Sequence, residues 1–294
     1  MNKIICWWSG GVTSAVACAL ALDIFGKENC TVIMIDTRNE DSDTYRFKAD
    51  WEKAYGKPVH IIDNFSGEYE SIEDVWRKYN SLNTANGAIC SSELKRTTRE
   101  KWQKENEYDA QVFGFEMDTK EFKRALSMKL NHSESKPVFP LLMAGYDKKD
   151  CIKILQDKGI EVPRMYKLGF KNNNCFQTGC IQGGIGYFQK LHKDFPEKYD
   201  AMAAMEHELT NSKGEPVTCL KDQGKESIAK AKELGLKRKY MPLFLKSHPD
   251  YPHCNTVLDK PAREVKPLMD CNGFCGVDDL IGRSETEGEI NNGK

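Results

Sequence analysis

The 294-residue chain has little that would take it to a membrane. Its best continuous apolar stretch near the start, Ala15 to Leu22, is too short to span a bilayer and weak as an export signal, because Ser9 to Ser14 cut it off from the apolar run before it. The reading is a cytoplasmic, soluble protein with no membrane partner. Net charge is missing too: 43 basic residues stand against 44 acidic ones, which leaves no global electrostatic footprint for nucleic acid and only local basic patches open. Neither common glycine-rich fingerprint is present at the first glycines. The Gly-x4-Gly-Lys-Ser/Thr spacing is absent, no lysine stands where one would reach the β and γ phosphates, and Gly-x-Gly-x-x-Gly does not occur there. A disulfide framework also finds no support. The eleven cysteines are odd in number and spread through a sizeable chain without an export signal, which points to buried thiols, metal ligands or catalysis. No internal repeat is found.

What is there begins with Ile4 to Leu22. Ile4 to Trp8 form a short apolar run of the kind found in a strand covered on both faces of a parallel sheet. Ser9, Gly10 and Gly11 break it. Adjacent glycines accept backbone angles closed to other residues and let a ligand approach the main chain, so the turn can aim several N–H groups at one point. Thr13 and Ser14 place hydroxyls at the start of the helix that follows, and such a start favours an anion by roughly 0.3 to 1 kcal/mol. An ordinary strand-to-helix turn is the plain alternative.

Further strands are expected at Thr31–Ile35, Val59–Asp63, Ala110–Phe115 and Lys136–Leu142, alternating with helices at 43–55, 68–79 and 147–158. This alternation predicts an α/β fold, a doubly wound and mainly parallel five-stranded sheet with helices on both faces. Asp36 and Thr37 close the second strand, where such folds hold a ribose hydroxyl or a metal; a turn aspartate is the alternative. From Ile181 the composition changes. Helices are expected at 196–209 and 226–234, and the last dozen residues look disordered. The expected organisation is a nucleotide-binding domain over residues 1–165, a smaller, mostly helical, cysteine-containing lobe over 166–280, and a tail over 281–294. Lys237, Arg238, Lys239 and Lys246, with Tyr240 and Phe244 between them, offer contacts for a nucleic-acid backbone and a base, though a solvated edge explains them more simply.

Several blocks, taken in order, resemble the PP-loop ATP pyrophosphatases and their phosphoadenosine phosphosulfate (PAPS) reductase branch. SGGVTS resembles the Ser-Gly-Gly-x-x-Ser signature. Asp36, Thr37, Glu40, Thr44 and Phe47 resemble an Asp-Thr-Gly-x5-Thr-x-x-Phe stretch, with Arg38 where the pattern has glycine. Cys90, Leu94 and Lys95 match Cys-x-x-x-Leu-Lys, and Gly114, Glu121 and Arg124 match a Gly-x6-Glu-x-x-Arg block. KPVFPLLMAGYDKKDCIKILQDKGIEVPRMYKLG follows the same course to its Pro-x-x-Tyr. The resemblance runs from about Lys3 to Cys180 and points most toward the ATP pyrophosphatase of bacterial DNA phosphorothioation systems, or a tRNA thiolase relative.

It implies that ATP binds with magnesium at Ser9, Gly10, Gly11, Thr13 and Ser14, with Asp36, Thr37, Gly114 and Arg124 completing the cofactor site and Ser9, Lys95 and Cys90 catalytic. An acceptor oxygen would attack the α phosphorus, pyrophosphate would leave, and a sulfur nucleophile would displace AMP. The acceptor implied is nucleic acid, reached with partner proteins, and the sulfur donor a cysteine desulfurase; a homo-oligomer is compatible with this. A sulfonucleotide reductase is the first rival, and a non-catalytic nucleotide-binding subunit the second.

Two close cysteine pairs, Cys175 with Cys180 and Cys271 with Cys275, would satisfy a four-thiolate Zn2+ site. The resemblance instead implies Cys90 joining Cys175 and Cys180 around a [4Fe–4S] cluster. Isolated buried cysteines are the third alternative.

Overall fold

The computed structural model describes residues 3–65, 68–84 and 87–268. The expected tail and the pair Cys271 and Cys275 lie outside them.

In chain order, β1 (Ile4–Trp7) leads through the glycine turn into α1 (Val12–Phe25), then β2 (Cys30–Ile35), α2 (Asp43–Tyr55) and β3 (Val59–Ile62). Next come α3 (Ile72–Tyr79) and two short strands, β4 (Asn83–Thr84) and β5 (Gly87–Ala88). A π-helical turn over Ser91–Arg96 runs into α4 (Thr97–Glu105), followed by β6 (Ala110–Val112), α5 (Thr119–Asn131), β7 (Pro137–Val138), α6 (Pro140–Ala144), α7 (Lys148–Asp157) and α8 (Arg164–Lys167). The remainder is α9 (Ile185–Asp194), α10 (Pro196–Lys213), β8 (Leu220–Asp222), α11 (Lys225–Glu233) and β9 (Met241–Leu243).

The main sheet has the order β3-β2-β1-β6-β7, and every pairing is parallel. Strand alternation divides the apolar residues between two layers. Ile4, Cys6 and Trp8 meet α1, α2 and α7 on one face, while Ile5, Trp7 and Ile33 meet Phe113, Phe115 and α5 on the other. Helix α1 is apolar on nearly every side because the sheet, α6 and α7 all cover it. The fifth strand is shorter than expected. Pro140 begins α6, where the fixed angle of proline suits the first helical position, so the extended stretch stops at Val138.

A separate core is built by α3, the Ile89–Leu94 turn, α9, α10 and the β8–β9 pair. The segment 65–94, which precedes β6 in sequence, thus packs with residues 165–257. No periodicity in the sequence announces this.

Glu206 on α10 is wholly buried in this lobe. The backbone N–H groups of Cys219 and Leu245 each donate to one of its oxygens at 2.7 Å, which ties β8 and the strand end after β9 to the helix. Burial nevertheless raises its carboxyl to about 7, against an ordinary value near 4.5. Between those two values the folded chain keeps a proton that the unfolded chain has released, so stability falls as pH rises through this window. The group is expected to remove about 3 kcal/mol between pH 4.5 and pH 7. Urea denaturation at pH 5 and pH 8 checks this: Glu206→Gln should flatten the loss, and an equal loss in both proteins would discard the assignment.

No described helix is long and apolar enough to cross a membrane.

Candidate active site

The strand order reverses between β1 and β6, because the chain winds outward from β1 to β3 and returns to β6 on the other side. Loops leaving the carboxyl ends of those two strands diverge there, which opens the crevice where doubly wound sheets bind ligands. The glycine turn leaves β1 at this point, and Gly114 lies just beyond β6.

Gly10 has φ +86°, a conformation that disfavours a side chain, and a Cβ there would lie 2.8 Å from Thr44 Cγ2. Ser14 closes the turn from inside. Its hydroxyl accepts from the Ser9 N–H at 3.0 Å, lies 3.0 Å from Ser9 Oγ, and donates to the Gly11 carbonyl at 3.0 Å. Helix α1 starts at Gly11 with no side chain to cap it. The Tyr166 hydroxyl, from α8, approaches the Val12 N–H at 3.4 Å. Gly114 matters for space rather than torsion: a Cβ there would stand 2.6 Å from Ser14 Cα and 2.7 Å from Ser14 N.

Asp36 at the end of β2 is held by two donors, the Arg38 N–H and the Tyr45 hydroxyl, each at 2.8 Å. Arg38 takes a φ of +51°, so the position where the family pattern has glycine keeps a left-handed backbone here. Its side chain pairs with Asp63 at 3.1 Å and lies over the Phe65 ring.

Thr37 donates to Glu40 Oε1 at 3.1 Å, and Lys95 Nζ donates to the same oxygen at 3.3 Å. Lys95 is 6% exposed and Glu40 2%, so this ion pair is buried, and Lys95 is not part of a solvated basic face. Arg99, one turn further on, is buried as well. Cys175 lies 3.7 Å from the Thr37 hydroxyl. Burial pushes its thiol up to about 12, the Glu40 carboxylate adds to this, and Lys95 opposes it.

The cysteine loop is also tied to the glycine turn itself. Asn173 Nδ2 donates to the Gly10 carbonyl and to Thr44 Oγ1, both at 2.9 Å, while Asn173 Oδ1 is buried with no hydrogen-bond partner among the described residues. Flipping the amide would not cure this, since the Gly10 carbonyl needs a donor. Phe176 and Gln177 donate backbone N–H groups to the Asn39 carbonyl, and Gln177 Nε2 reaches the Glu40 carbonyl. The glycine turn and the thiol loop therefore form one hydrogen-bonded unit.

Cys90, Cys175, Cys180 and Cys219 belong to the same buried core. Cys219 interacts electrostatically with Cys180 and Cys90, and its thiol is pushed well above the ordinary range, first by burial and then by Glu206. All the described cysteines are free thiols. Among the described residues, however, no three side chains of cysteine, histidine, aspartate or glutamate are arranged to hold a metal ion. The donor chemistry suits zinc or iron, but the described residues do not supply a ready centre.

Of the residues expected from sequence, the fold brings Ser9, Gly10, Gly11, Thr13, Ser14 and Gly114 together, and it brings Thr37, Lys95 and Cys175 together. Arg124 is placed differently from the turn residues: it is buried on α5, paired to Glu121 at 2.6 Å and stacked 4.9 Å over the Phe115 ring. Phe244 is buried against His207, His248 and Tyr251, so it cannot take a stacked base. Sequence reading missed Asn173, Tyr166 and Cys219 as site residues, and it placed Glu40 in the Asp-Thr block without giving it a role. The Pro-x-x-Tyr spacing was a usable signal for Tyr166; a lone cysteine carries none for Cys219.

A family model described as the phosphoadenosine phosphosulfate reductase domain matches residues 3–181. No curated protein matches the chain. Among solved structures, the PAPS reductase from Candida auris, in a phosphate complex, is similar with a TM-score of 0.46 and 19% identity, over 60% of this chain and 83% of that one. The U34-tRNA thiolase NcsA from Methanococcus maripaludis, with its [4Fe-4S] cluster, is similar with a TM-score of 0.38 and 15% identity, over 81% of this chain and 83% of that one.

Proposed function

Because the chain belongs to the phosphoadenosine phosphosulfate reductase domain family, we propose that it is a nucleotide-activating enzyme of sulfur transfer that cleaves ATP between its α and β phosphates. The pyrophosphate end of ATP lies on the turn from Ser9 to Ser14, at the uncapped start of α1. Asp36 would supply a carboxylate to a magnesium ion bound with the phosphates, and the ion would offset their charge. An acceptor oxygen attacks the α phosphorus, the bond to the bridging oxygen breaks, and pyrophosphate leaves with that electron pair. A sulfur nucleophile then displaces AMP from the adenylated acceptor. In its most specific form the acceptor is a DNA backbone phosphate or a tRNA base carbonyl, and the sulfur comes from a cysteine desulfurase.

One observation carries this reading beyond simple nucleotide binding. The thiol-bearing loop is joined to the glycine turn directly, through Asn173 to the Gly10 carbonyl, and to the segment after β2 through Cys175 beside Thr37, which shares Glu40 with Lys95. Phosphate-binding backbone and buried thiols thus meet in one place, as activation followed by sulfur delivery requires. Lys95 neutralises phosphate charge, and Cys90, Cys175 and Cys180 are the candidates for handling sulfur.

The test is incubation with ATP and magnesium, and separately with PAPS and a thiol reductant. Pyrophosphate release is the expected result. Sulfite release in its place would make the chain a sulfonucleotide reductase. If neither product forms while ATP raises the melting temperature, the chain is a nucleotide-binding subunit.

A further inference from the structure

With basic and acidic residues nearly equal in number, a basic surface on this chain can arise only by segregation. The second lobe shows such segregation. Two grooves, of about 1080 and 530 Å3, lie on either side of Cys219 and share Asn83, Cys219 and Lys221 in their walls. The β4–β5 and β8–β9 pairs supply much of those walls, and Asn83 Nδ2 reaches the Cys219 carbonyl at 3.5 Å between them. Together the grooves gather Lys213, Lys221, Arg238, Lys239, Lys260 and Arg263 against a single lining carboxylate among the described residues, Asp222.

Part of this charge is neutralised. Asp222 takes Lys260 at 2.6 Å, and Glu215 takes Lys213 and Arg238 at 3.2 Å each. Lys221, Lys239 and Arg263 are exposed and form no ion pair among the described residues. They span both grooves, with Lys221 at the junction. Tyr240, half-buried, lines the smaller groove beside Lys239, whose Nζ lies over the ring, 5.4 Å from its centroid. Separated cations that track a backbone, with an aromatic face for a base, are the equipment of single-strand recognition. Cys219 lies buried beneath the ridge that the two grooves share, in the same core as Cys180 and Cys90.

We propose that a single-stranded nucleic acid lies along these two grooves, its phosphates on Lys221, Lys239 and Arg263 and a base against Tyr240, crossing the ridge under which the thiols are buried. This inference rests on the proposed sulfur-transfer reading, for which it locates the acceptor's path. Charge complementarity favours nucleic acid over an acidic protein because the unpaired cations are spread along an extended groove beside an aromatic ring.

The test uses the full chain and fluorescein-labelled single strands of DNA and of RNA, roughly 20 nucleotides long so as to exceed one site, followed by anisotropy over a range of salt. Wild-type protein should bind with an affinity that falls steeply as salt rises. The double variant Lys221→Ala/Lys239→Ala should bind about tenfold or more weakly at low salt, and its slope of log affinity against log salt should be shallower by about 0.7 per phosphate contact removed. Its melting temperature and its pyrophosphate release without nucleic acid should match wild type. Lys53→Ala/Lys101→Ala, outside both grooves, should bind as wild type does. No binding at low salt, or equal losses in the two double variants, overturns the proposal. So does poly-glutamate binding as tightly as the oligonucleotides with the same dependence on Lys221 and Lys239, which would assign the surface to an acidic protein. Absence of pyrophosphate release in wild type strikes the activity reading alone, since binding is measured independently.

Discussion

Gly114→Ala is expected to cost the protein about 3 kcal/mol of stability, at the upper end of what overpacking does, and to abolish most ATP turnover. The added carbon would press on the Cα and N of Ser14 at 2.6 and 2.7 Å and on the carbonyl carbon of Thr13 at 3.0 Å. These are backbone atoms of the first turn of α1, so no side chain can rotate aside. The helix cannot retreat as a body either, because α6 and α7 pack behind it. What gives way is the spacing between the end of β6 and the turn that ought to hold the phosphates. For a chain of this size the melting temperature should fall by roughly 6 to 12 °C. Gly184→Ala is the contrast: nothing lies within 4 Å of its Cβ and its φ is not positive, so it should change stability by less than about 0.5 kcal/mol. A Gly114→Ala protein that melts with wild type and releases pyrophosphate at the wild-type rate would show that the crevice between β1 and β6 is not the nucleotide site.

The second large effect concerns Lys95. Replacing it with methionine strands the Glu40 carboxylate in a site that is 2% exposed, and removing one partner of a buried pair typically costs about 3 to 5 kcal/mol. Turnover should fall as well, by about 100-fold or more if the ammonium stabilises charge on the departing phosphates. Stability and catalysis can be separated. In Lys95→Met/Glu40→Gln the buried charge is gone from both sides, and glutamine still accepts from the Thr37 hydroxyl, so most of the stability should return. Turnover should not. Recovery of activity along with stability in the double variant would make Lys95 a structural residue and remove it from the chemistry.

Much of the fold was readable because it depends on short-range patterns. The apolar residues of β1 and β2, the glycines after β1, and the helices 43–55 and 147–158 follow from periodicity and turn chemistry that act within a few residues. Arg38 keeps the left-handed backbone at the position where the family pattern has glycine. The π-helical turn bearing Lys95, the burial of Arg99 and Arg124, and the shortening of β7 by Pro140 were less legible, since each depends on what packs against the segment. Cys219 was invisible for a stronger reason. It lies far along the chain from Cys90 and Cys180, and only the packing of the segment 65–94 against α9 and α10 makes them neighbours.

By itself, then, the order of residues determined a parallel sheet and the glycine turn at its first strand, because hydrophobic alternation and glycine torsions are properties of adjacent residues. Tertiary structure alone decided that Asn173 grips the Gly10 carbonyl, that Lys95 meets Glu40 beside Cys175, and that separate stretches of lysine and arginine line grooves on either side of Cys219. Those arrangements bring together groups distant along the chain, and burial strengthens the first two by removing the water that would otherwise compete.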